Sequence, residues 1–148
     1  MRMRLLVVTA TLIMGSLGLN AQQVQKQKGT DGKGIASFYH DKFEGRQTAT
    51  GEIFDNDKFT AASNKLKLGS YAKVTNLTNG EVVYVKINDR MNASNERLID
   101  LASVAAKKLN FQGNGVTKVK VEAVSAQEGR MAISFQNRAK AGSTTNRL

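Results

Sequence analysis

Apolar and polar residues alternate along most of the central part of the chain, as they do in β-strands with one buried face. Short runs of this kind cover residues 35–39, 71–77, 82–87 and 116–124. The last of them, for example, alternates lysine with valine over residues 118–121. Asn79-Gly80 lies between the second and third runs and predicts a two-residue type I′ hairpin turn, because both central positions of that turn need positive φ.

A partly apolar stripe at helical spacing covers residues 102–109 and predicts one short helix there. Asp100 and Ser103 are the candidate residues for capping its start, and Gly113 lies just beyond its end. Short strands, a small helix and many turns together predict a mainly β fold, most simply a compact β-barrel.

The two ends of the chain differ from its centre. Arg2 and Arg4 precede an apolar run over 5–19 that is too short and too interrupted to span a membrane, so residues 1–21 are predicted to be a signal peptide. An amphipathic helix kept in the mature protein is the alternative. Residues 22–33 are predicted to be a flexible leader, 34–124 the folded domain, and 125–148 a basic, disordered tail. The tail is either solvated or an electrostatic tether to an anionic surface.

Composition removes several classes of chemistry. The 148 residues include no Cys and one His, which excludes thiol nucleophiles, disulfides, Cys-based zinc sites and multi-His metal sites. We therefore expect no metal and no organic cofactor. Lys and Arg outnumber Asp and Glu by 22 to 12, giving a formal charge of +10 and favouring an anionic partner. A nucleic acid is disfavoured as that partner, because the leader predicts export and the strands lack clustered exposed aromatic residues for base stacking.

Asp89 is the strongest candidate for chemistry. In the run over 82–87, Val83 and Ile87 lie on the inner face, and Asp89 continues the same alternation to the point where the strand leaves the barrel. Partial removal of a carboxyl group from water disfavours its charged form, which is what a general acid near neutral pH requires. The alternative is structural: Asp89 caps a turn or pairs with Arg90 or Arg46.

Seven short blocks occur in a fixed order along the central part of the chain. They are Gly34-Ile-Ala-Ser-Phe-Tyr39, Phe43-Glu-Gly-Arg46, Thr48-Ala-Thr-Gly-Glu52, Phe59-Thr-Ala-Ala62, Val74-Thr-Asn76, Ile87-Asn-Asp-Arg90 and Ile99-Asp-Leu101. With these blocks the chain resembles the rare lipoprotein A (RlpA) family of septal-ring lytic transglycosylases over residues 34–124. The resemblance implies a six-stranded double-psi β-barrel with one or two short helices. It also implies an exported enzyme that cleaves peptidoglycan glycan strands and leaves 1,6-anhydromuramic ends.

The resemblance also implies site residues. The catalytic aspartate of the family falls on Asp89, and the position of the family histidine is held by Ser63, which can donate a hydrogen bond but carries no positive charge. The expected substrate-binding residues are Tyr39, Arg46, Asn88 and Arg90. The alternative role of Arg46 is an ion pair that closes a loop, and the alternative role of Tyr39 is plain packing in the core. His40, the single histidine, is not at the family position.

The predicted function is an endolytic peptidoglycan lytic transglycosylase of the periplasm or cell envelope. One carboxyl group is enough for this reaction, because no water has to be activated, whereas a hydrolase needs two. The expected partner is the glycan strand, bound by a monomer with no lipid anchor. The alternative is a non-catalytic glycan-binding barrel that lost turnover together with the histidine.

Overall fold

A computed structural model describes residues 31–145, and the predicted signal peptide and most of the predicted leader lie outside these described residues. Six strands close into a barrel in the order β1-β5-β2-β4-β3-β6. The predicted mainly β fold is confirmed. The strands are β1 (Gly32–Phe38), β2 (Thr60–Ala62), β3 (Tyr71–Asn76), β4 (Val82–Asp89), β5 (Ile99–Leu101) and β6 (Thr117–Val124). The helices are α1 (Ser103–Lys108) and α2 (Ala126–Thr145), with 3-10 turns at Asp41–Phe43 and Gln112–Asn114.

The barrel mixes parallel and antiparallel pairs. β1 pairs with β5 and β2 with β4 in parallel, and the remaining four pairs are antiparallel. β2 and β5 have three residues each, so neither is long enough to show alternation in the sequence. β1 begins at Gly32, two residues before the predicted start of the domain.

The alternation along β4 and β6 places valine and isoleucine side chains in the barrel interior. Val83, Val85, Ile87, Val119 and Val121 are all fully buried there. Burial of each such side chain contributes roughly 1.5–3 kcal/mol to folding. The two long strands therefore supply much of the core, as their sequence pattern predicts.

The alternation of β4 is interrupted at its end by a bulge. Ala61 of β2 pairs with Ile87, but the next residue, Ala62, pairs with Asp89, so Asn88 is an extra residue on β4. Ile87 and Asn88 are both buried. The extra residue shifts the register of β4 against β2 at this point, and the prediction that Asp89 continues the inward series from Ile87 stays a prediction.

The hairpin between β3 and β4 exists, but its turn is not type I′. Gly80 has a φ of 78°, whereas Asn79 does not have positive φ. Gly80 N donates to Asn76 O (2.8 Å) and Asn76 N to Glu81 O (2.8 Å), so the turn is longer than two residues. Asn79 instead donates its side-chain amide to Leu109 O (2.9 Å), which ties the turn to the end of α1.

α1 begins one residue later than predicted, and neither predicted residue caps it. Asn56 does so from another loop: its Oδ1 accepts from Ser103 N (2.7 Å) and its carbonyl accepts from Val104 N (3.1 Å). Asp100 forms a bidentate ion pair with Arg97 instead. A cap supplied from 47 residues away leaves no local sequence signal.

The predicted disordered tail is wrong for the part that the structure describes, because 20 of its residues form α2. Ser125 caps the helix, with its Oγ accepting from Glu128 N (3.1 Å). Ser125 followed by Glu128 matches the spacing of a capping box, which is the signal that the sequence analysis missed. None of the described helices is both long and apolar enough to cross a membrane.

α2 contacts the barrel through residues that an apolar pattern does not detect. Gly129, Ile133, Gln136 and Lys140 share one face of the helix. Gln136 accepts from Tyr84 N (2.7 Å) and donates to Tyr84 O (2.9 Å), so it pairs with β4 as a strand would. Lys140 forms an ion pair with an exposed aspartate of the loop before β2 (2.7 Å). A single isoleucine on this face is not enough to produce an apolar pattern at helical spacing in the sequence.

Gly129 allows the closest approach of α2 to the barrel, and its replacement tests this contact. A Cβ at Gly129 would lie well inside van der Waals distance of the Cβ and ring of Tyr71. Gly129→Ala is therefore expected to lower the free energy of unfolding by about 1–3 kcal/mol through overpacking, although alanine favours helix. The measurement is urea unfolding.

Gly142→Ala is the matched control, because a Cβ at Gly142 of the same helix meets no atom within 4 Å. It is expected to leave stability unchanged or to raise it by up to about 1 kcal/mol. Equal effects of the two substitutions would contradict the packing of α2 described above.

Candidate functional site

Asp89 lies at the end of β4, and three donors converge on its carboxylate. Tyr39 Oη donates to Oδ2 (3.0 Å), and the backbone amides of Ala49 (3.0 Å) and Arg90 (2.8 Å) donate to Oδ1. The side chain is half-buried. Neither Arg90 nor Arg46 forms an ion pair with it among the described residues, so the structural alternative of a salt bridge is not realised.

Ala49 belongs to a small loop that folds over the end of β4. The loop is closed by a β-bridge between Gln47 and Ile53, and Thr50 N donates to Asn88 O (3.2 Å). Gly51 has a φ of 88°, which permits the tight turn. Ala49 is not among the residues predicted from the sequence, because it acts through its backbone N–H and no side-chain signal marks it.

Tyr39 packs against other rings and also donates to Asp89, whereas its predicted contact with substrate stays a prediction. Its ring lies 4.7 Å from that of Phe54 and 5.6 Å from that of Phe43, measured between centroids. Burial, followed by the charge and hydrogen bond of Asp89, raises the pKa of Tyr39 well above its usual value. The phenol therefore stays protonated and remains a donor at physiological pH.

A cleft of about 690 Å³ opens beside Asp89. Of the residues predicted for the site, the structure brings Asp89, Tyr39, Arg46 and Arg90 to this cleft, and it leaves out Asn88 and Ser63. The other lining residues are Phe38, His40, Lys42, Phe43, Gln47, Phe54, Met91, Asn92, Asn95, Arg97 and Asp100.

The two predicted arginines of the cleft differ in what they contact. The guanidinium of Arg46 is exposed over the ring of Phe43 (5.4 Å), and no carboxylate of the described residues pairs with it. The predicted alternative of a loop-closing ion pair is therefore not realised. Arg90 Nη1 donates to the carbonyls of Ser63 and Leu66, so its guanidinium holds a turn. Of these two arginines, Arg46 is the one whose guanidinium has no hydrogen bond to an oxygen of the described residues.

Asn88 lies on the other side of β4 from the cleft. Its Nδ2 donates to Glu52 Oε2 (2.9 Å), and Lys86 pairs with the other oxygen of Glu52. The hydrogen bonds from Lys86 and then Asn88 lower the pKa of Glu52. Asn88 therefore supports the loop that carries Ala49, which differs from the substrate contact that the sequence predicts.

Ser63 is next to Asp89 in the backbone but not in the site. Ser63 N donates to Asp89 O (3.1 Å), while the side chain is fully buried and its Oγ donates to Leu98 O (2.9 Å). The same Oγ accepts from the amides of Lys65 (3.2 Å) and Leu66 (3.3 Å). This short side chain folds back onto its own turn, so its hydroxyl is not among the donors to the Asp89 carboxylate.

His40 lies on the wall of the cleft, although the sequence analysis set it aside. Its Nδ1 accepts from Lys42 N (3.3 Å), which starts the 3-10 turn at Asp41–Phe43. An Nδ1 that accepts leaves Nε2 as the nitrogen that carries hydrogen in the neutral ring. The cleft thus contains one imidazole, contributed by the end of β1.

Residues 31–121 match the family model described as lytic transglycolase. The chain belongs to this family. It is similar to the endolytic peptidoglycan transglycosylase RlpA of Haemophilus influenzae (46% identity over 101 residues, 68% of this chain and 35% of the relative). The protein of that name from Pseudomonas aeruginosa PAO1 is 47% identical over 104 residues, covering 67% of this chain and 30% of the relative. The chain therefore spans about a third of the length of these RlpA relatives.

Solved structures support the double-psi barrel of the lytic transglycolase family. An expansin of Clavibacter michiganensis matches with a TM-score of 0.53 at 20% identity, covering 65% of this chain and 51% of the expansin. Cerato-platanin 3 of M. perniciosa matches with a TM-score of 0.52 at 13% identity, covering 67% of this chain and 99% of that protein. At these identities the likeness concerns the fold alone.

Tyr39 is expected to ionise later than an ordinary tyrosine, whose pKa is about 10. Because its pKa is raised in the folded state, its contribution to stability is complete below about pH 10 and is lost as pH rises further. When the tyrosines are titrated spectroscopically, the phenolate signal that appears at the highest pH should be absent in Tyr39→Phe. Tyr71→Phe, which removes a phenol that packs against α2, should retain that signal, and its loss there would contradict the assignment.

Ser63→Ala separates a structural from a catalytic role of Ser63. Loss of the Oγ hydrogen bonds leaves buried Leu98 O without this donor, so unfolding free energy should fall by about 1–3 kcal/mol. The rate of the glycan cleavage that we propose below, measured per folded molecule, should stay at the parent value. A large loss of rate in protein that is still folded would show that the hydroxyl takes part in the reaction.

Proposed function

We propose that this protein is an exported, endolytic peptidoglycan lytic transglycosylase with Asp89 as its general acid and base. The observation that carries the proposal is the carboxylate of Asp89, held by three uncharged donors at the side of an open cleft. Family membership supplies the reaction class, and the names of the relatives supply the polymer.

The reaction needs one carboxyl group that moves a single proton twice. Protonated Asp89 gives its proton to the glycosidic oxygen as the bond to C1 breaks. The resulting carboxylate takes the proton from the 6-hydroxyl of the same sugar as that oxygen bonds to C1, which closes the 1,6-anhydro ring. The carboxyl group ends as it began, and no water enters.

The donors around Asp89 fix its position during both steps. Tyr39 and the amide of Ala49 belong to separate elements, so the carboxylate is held from two sides. Arg46 is the cleft residue best able to bind an acidic or acetamido group of the glycan, because its guanidinium is free of protein carboxylates and stacks on Phe43. We propose these two roles, positioning for Tyr39 and substrate binding for Arg46.

A non-catalytic glycan binder is the second candidate, and one observation favours it. Ser63, at the position of the family histidine, is buried and sends no polar atom into the cleft. The carboxyl group of Asp89 therefore lacks the neighbour that the family histidine would supply. The binder keeps the barrel and the cleft but releases no anhydro-ended fragments.

Asp89→Asn distinguishes the two candidates. The full-length protein is incubated with purified sacculi, and anhydro-ended products are measured by mass spectrometry. Asparagine keeps the size of the side chain but cannot exchange the proton, so release should fall by about 10²–10⁴-fold. Glu81→Gln, which removes an exposed carboxylate on the β3–β4 turn, is the matched control and should release products at the parent rate.

Two results would overturn the enzymatic proposal. Sacculi that bind the parent protein but yield no anhydro-ended product would indicate the glycan binder. Undiminished release by Asp89→Asn would place the chemistry on another residue.

A further inference from the structure

Lysine side chains gather on the outer surface of the barrel, where β1, β6 and β3 lie side by side. Lys118 and Lys120 of β6 alternate with fully buried valines, so both lie on the outer face of the strand. Lys33 of β1 pairs directly with Lys120, and Lys73 of β3 is the diagonal neighbour of Lys120 on the other side. Three adjacent strands therefore bring four lysines together on one face.

The charges of these lysines are only partly compensated by protein carboxylates. Lys33 and Lys120 face each other across an antiparallel pair, and like charges in this position oppose pairing. Glu122 accepts a hydrogen bond from Lys120 (2.7 Å), which compensates for one of the two charges. Within the described residues, no carboxylate lies within ion-pair distance of Lys33, Lys73 or Lys118. An anionic partner would supply the negative charge that these three ammonium groups lack.

Exposed aliphatic side chains lie beside the lysines. Ile35 of β1 pairs with Lys118, and the backbone amide of Leu77 donates to the carbonyl of Lys118 (2.9 Å), so the three residues form one row across the strands. Ile35 is 38% exposed and Leu77 is 46% exposed. Val116, immediately before β6, is 50% exposed. Large apolar side chains that are exposed as a group, rather than singly, are typical of an interaction surface.

We call this surface the basic sheet face. Two acidic residues border it, Glu122, which pairs with Lys120, and Asp31, which immediately precedes β1. Four lysines and these two carboxylates leave a net charge of +2. None of the six residues that form the face lines the Asp89 cleft. They are Lys33, Ile35, Lys73, Leu77, Lys118 and Lys120.

We propose that the basic sheet face binds the surface of an anionic phospholipid bilayer. Its ammonium groups contact the phosphate headgroups, and Ile35 and Leu77 enter the boundary between headgroups and acyl chains. Each lysine held near such a surface strengthens binding about fivefold. Binding here does not depend on the proposed function, because the face shares no residue with the cleft.

A bilayer fits the basic sheet face better than a phosphodiester polymer does. The lysines belong to three strands, so the positive charge extends in two dimensions and not along one line. A nucleic acid strand finds no aromatic side chain among the six residues for base stacking, and it would leave Ile35 and Leu77 in water. The flexible stems of the lysines contact headgroups without a fixed geometry, whereas arginine is the usual choice for directed phosphate contacts.

Vesicle flotation of the full-length protein tests the charge of the face. The vesicles are equimolar phosphatidylglycerol and phosphatidylcholine, and vesicles of phosphatidylcholine alone measure the binding that does not depend on charge. The double variant Lys33→Gln/Lys118→Gln should bind the anionic vesicles about 25-fold more weakly, about fivefold for each lysine. Residues 1–30 are the same in the parent and the variants, so the difference between them reports on the folded domain.

Lys107→Gln/Lys108→Gln is the matched control, because it removes the same charge from exposed lysines of α1 that lie outside the basic sheet face. It should bind the anionic vesicles as the parent does. The substituted lysines of both variants are exposed, so each variant is expected to fold as the parent does.

Leu77→Ser tests the apolar part of the contact. It should weaken binding by about threefold, and this loss should persist at high salt, because burial of apolar surface is not screened by ions. Met131→Ser is the control, since Met131 is similarly exposed on α2 and lies outside the face, and it should leave binding unchanged.

Three results would contradict membrane binding by the basic sheet face. The first is equal binding of the parent protein to anionic and zwitterionic vesicles. The second is an equal loss in the two lysine double variants, which would indicate net charge alone. The third is release of the bound protein by duplex DNA at a phosphate concentration below that of the vesicles, which would assign the face to a nucleic acid.

Discussion

The end of β4 is the constraint on which the site depends. Ala61 of β2 pairs with Ile87 and the next residue, Ala62, pairs with Asp89, so Asn88 is an extra residue in this pairing. Asn88 binds Glu52, which steadies the loop carrying Ala49, while Asp89 lines the cleft. Two adjacent residues of β4 thus place the carboxylate and support one of its donors.

Alternation along β4 and β6 was sufficient to predict a barrel with a valine-rich interior, because both strands have one buried face. It was not sufficient to predict the bulge before Asp89, since a bulge is recorded in the pairing with β2 and not in the order of residues. Strand alternation and the family resemblance nevertheless point independently to Asp89. The backbone donor at Ala49 and the long-range cap from Asn56 have no local signal at all.

The tail prediction failed for a different physical reason. Low apolar content usually means that a segment cannot offset the entropy of ordering. In α2, however, docking depends on a glycine that permits close approach, on Gln136 paired with the backbone of Tyr84, and on an ion pair of Lys140. Polar docking of this kind needs few apolar residues, so the sequence of α2 gives no hydrophobic signal for it.

The surroundings of Asp89 are consistent with a group that must both give and take a proton. A salt bridge to an arginine would favour the charged form throughout the cycle and oppose the first step. The guanidinium of Arg90 donates to two backbone carbonyls, and that of Arg46 stacks on the ring of Phe43. The donors to the carboxylate of Asp89 are therefore one phenol and two backbone amides. Because these donors are uncharged, they fix the geometry of Asp89 without adding a formal charge beside it. This arrangement supports the role that we propose for Asp89, in which one carboxyl group serves as acid and then as base.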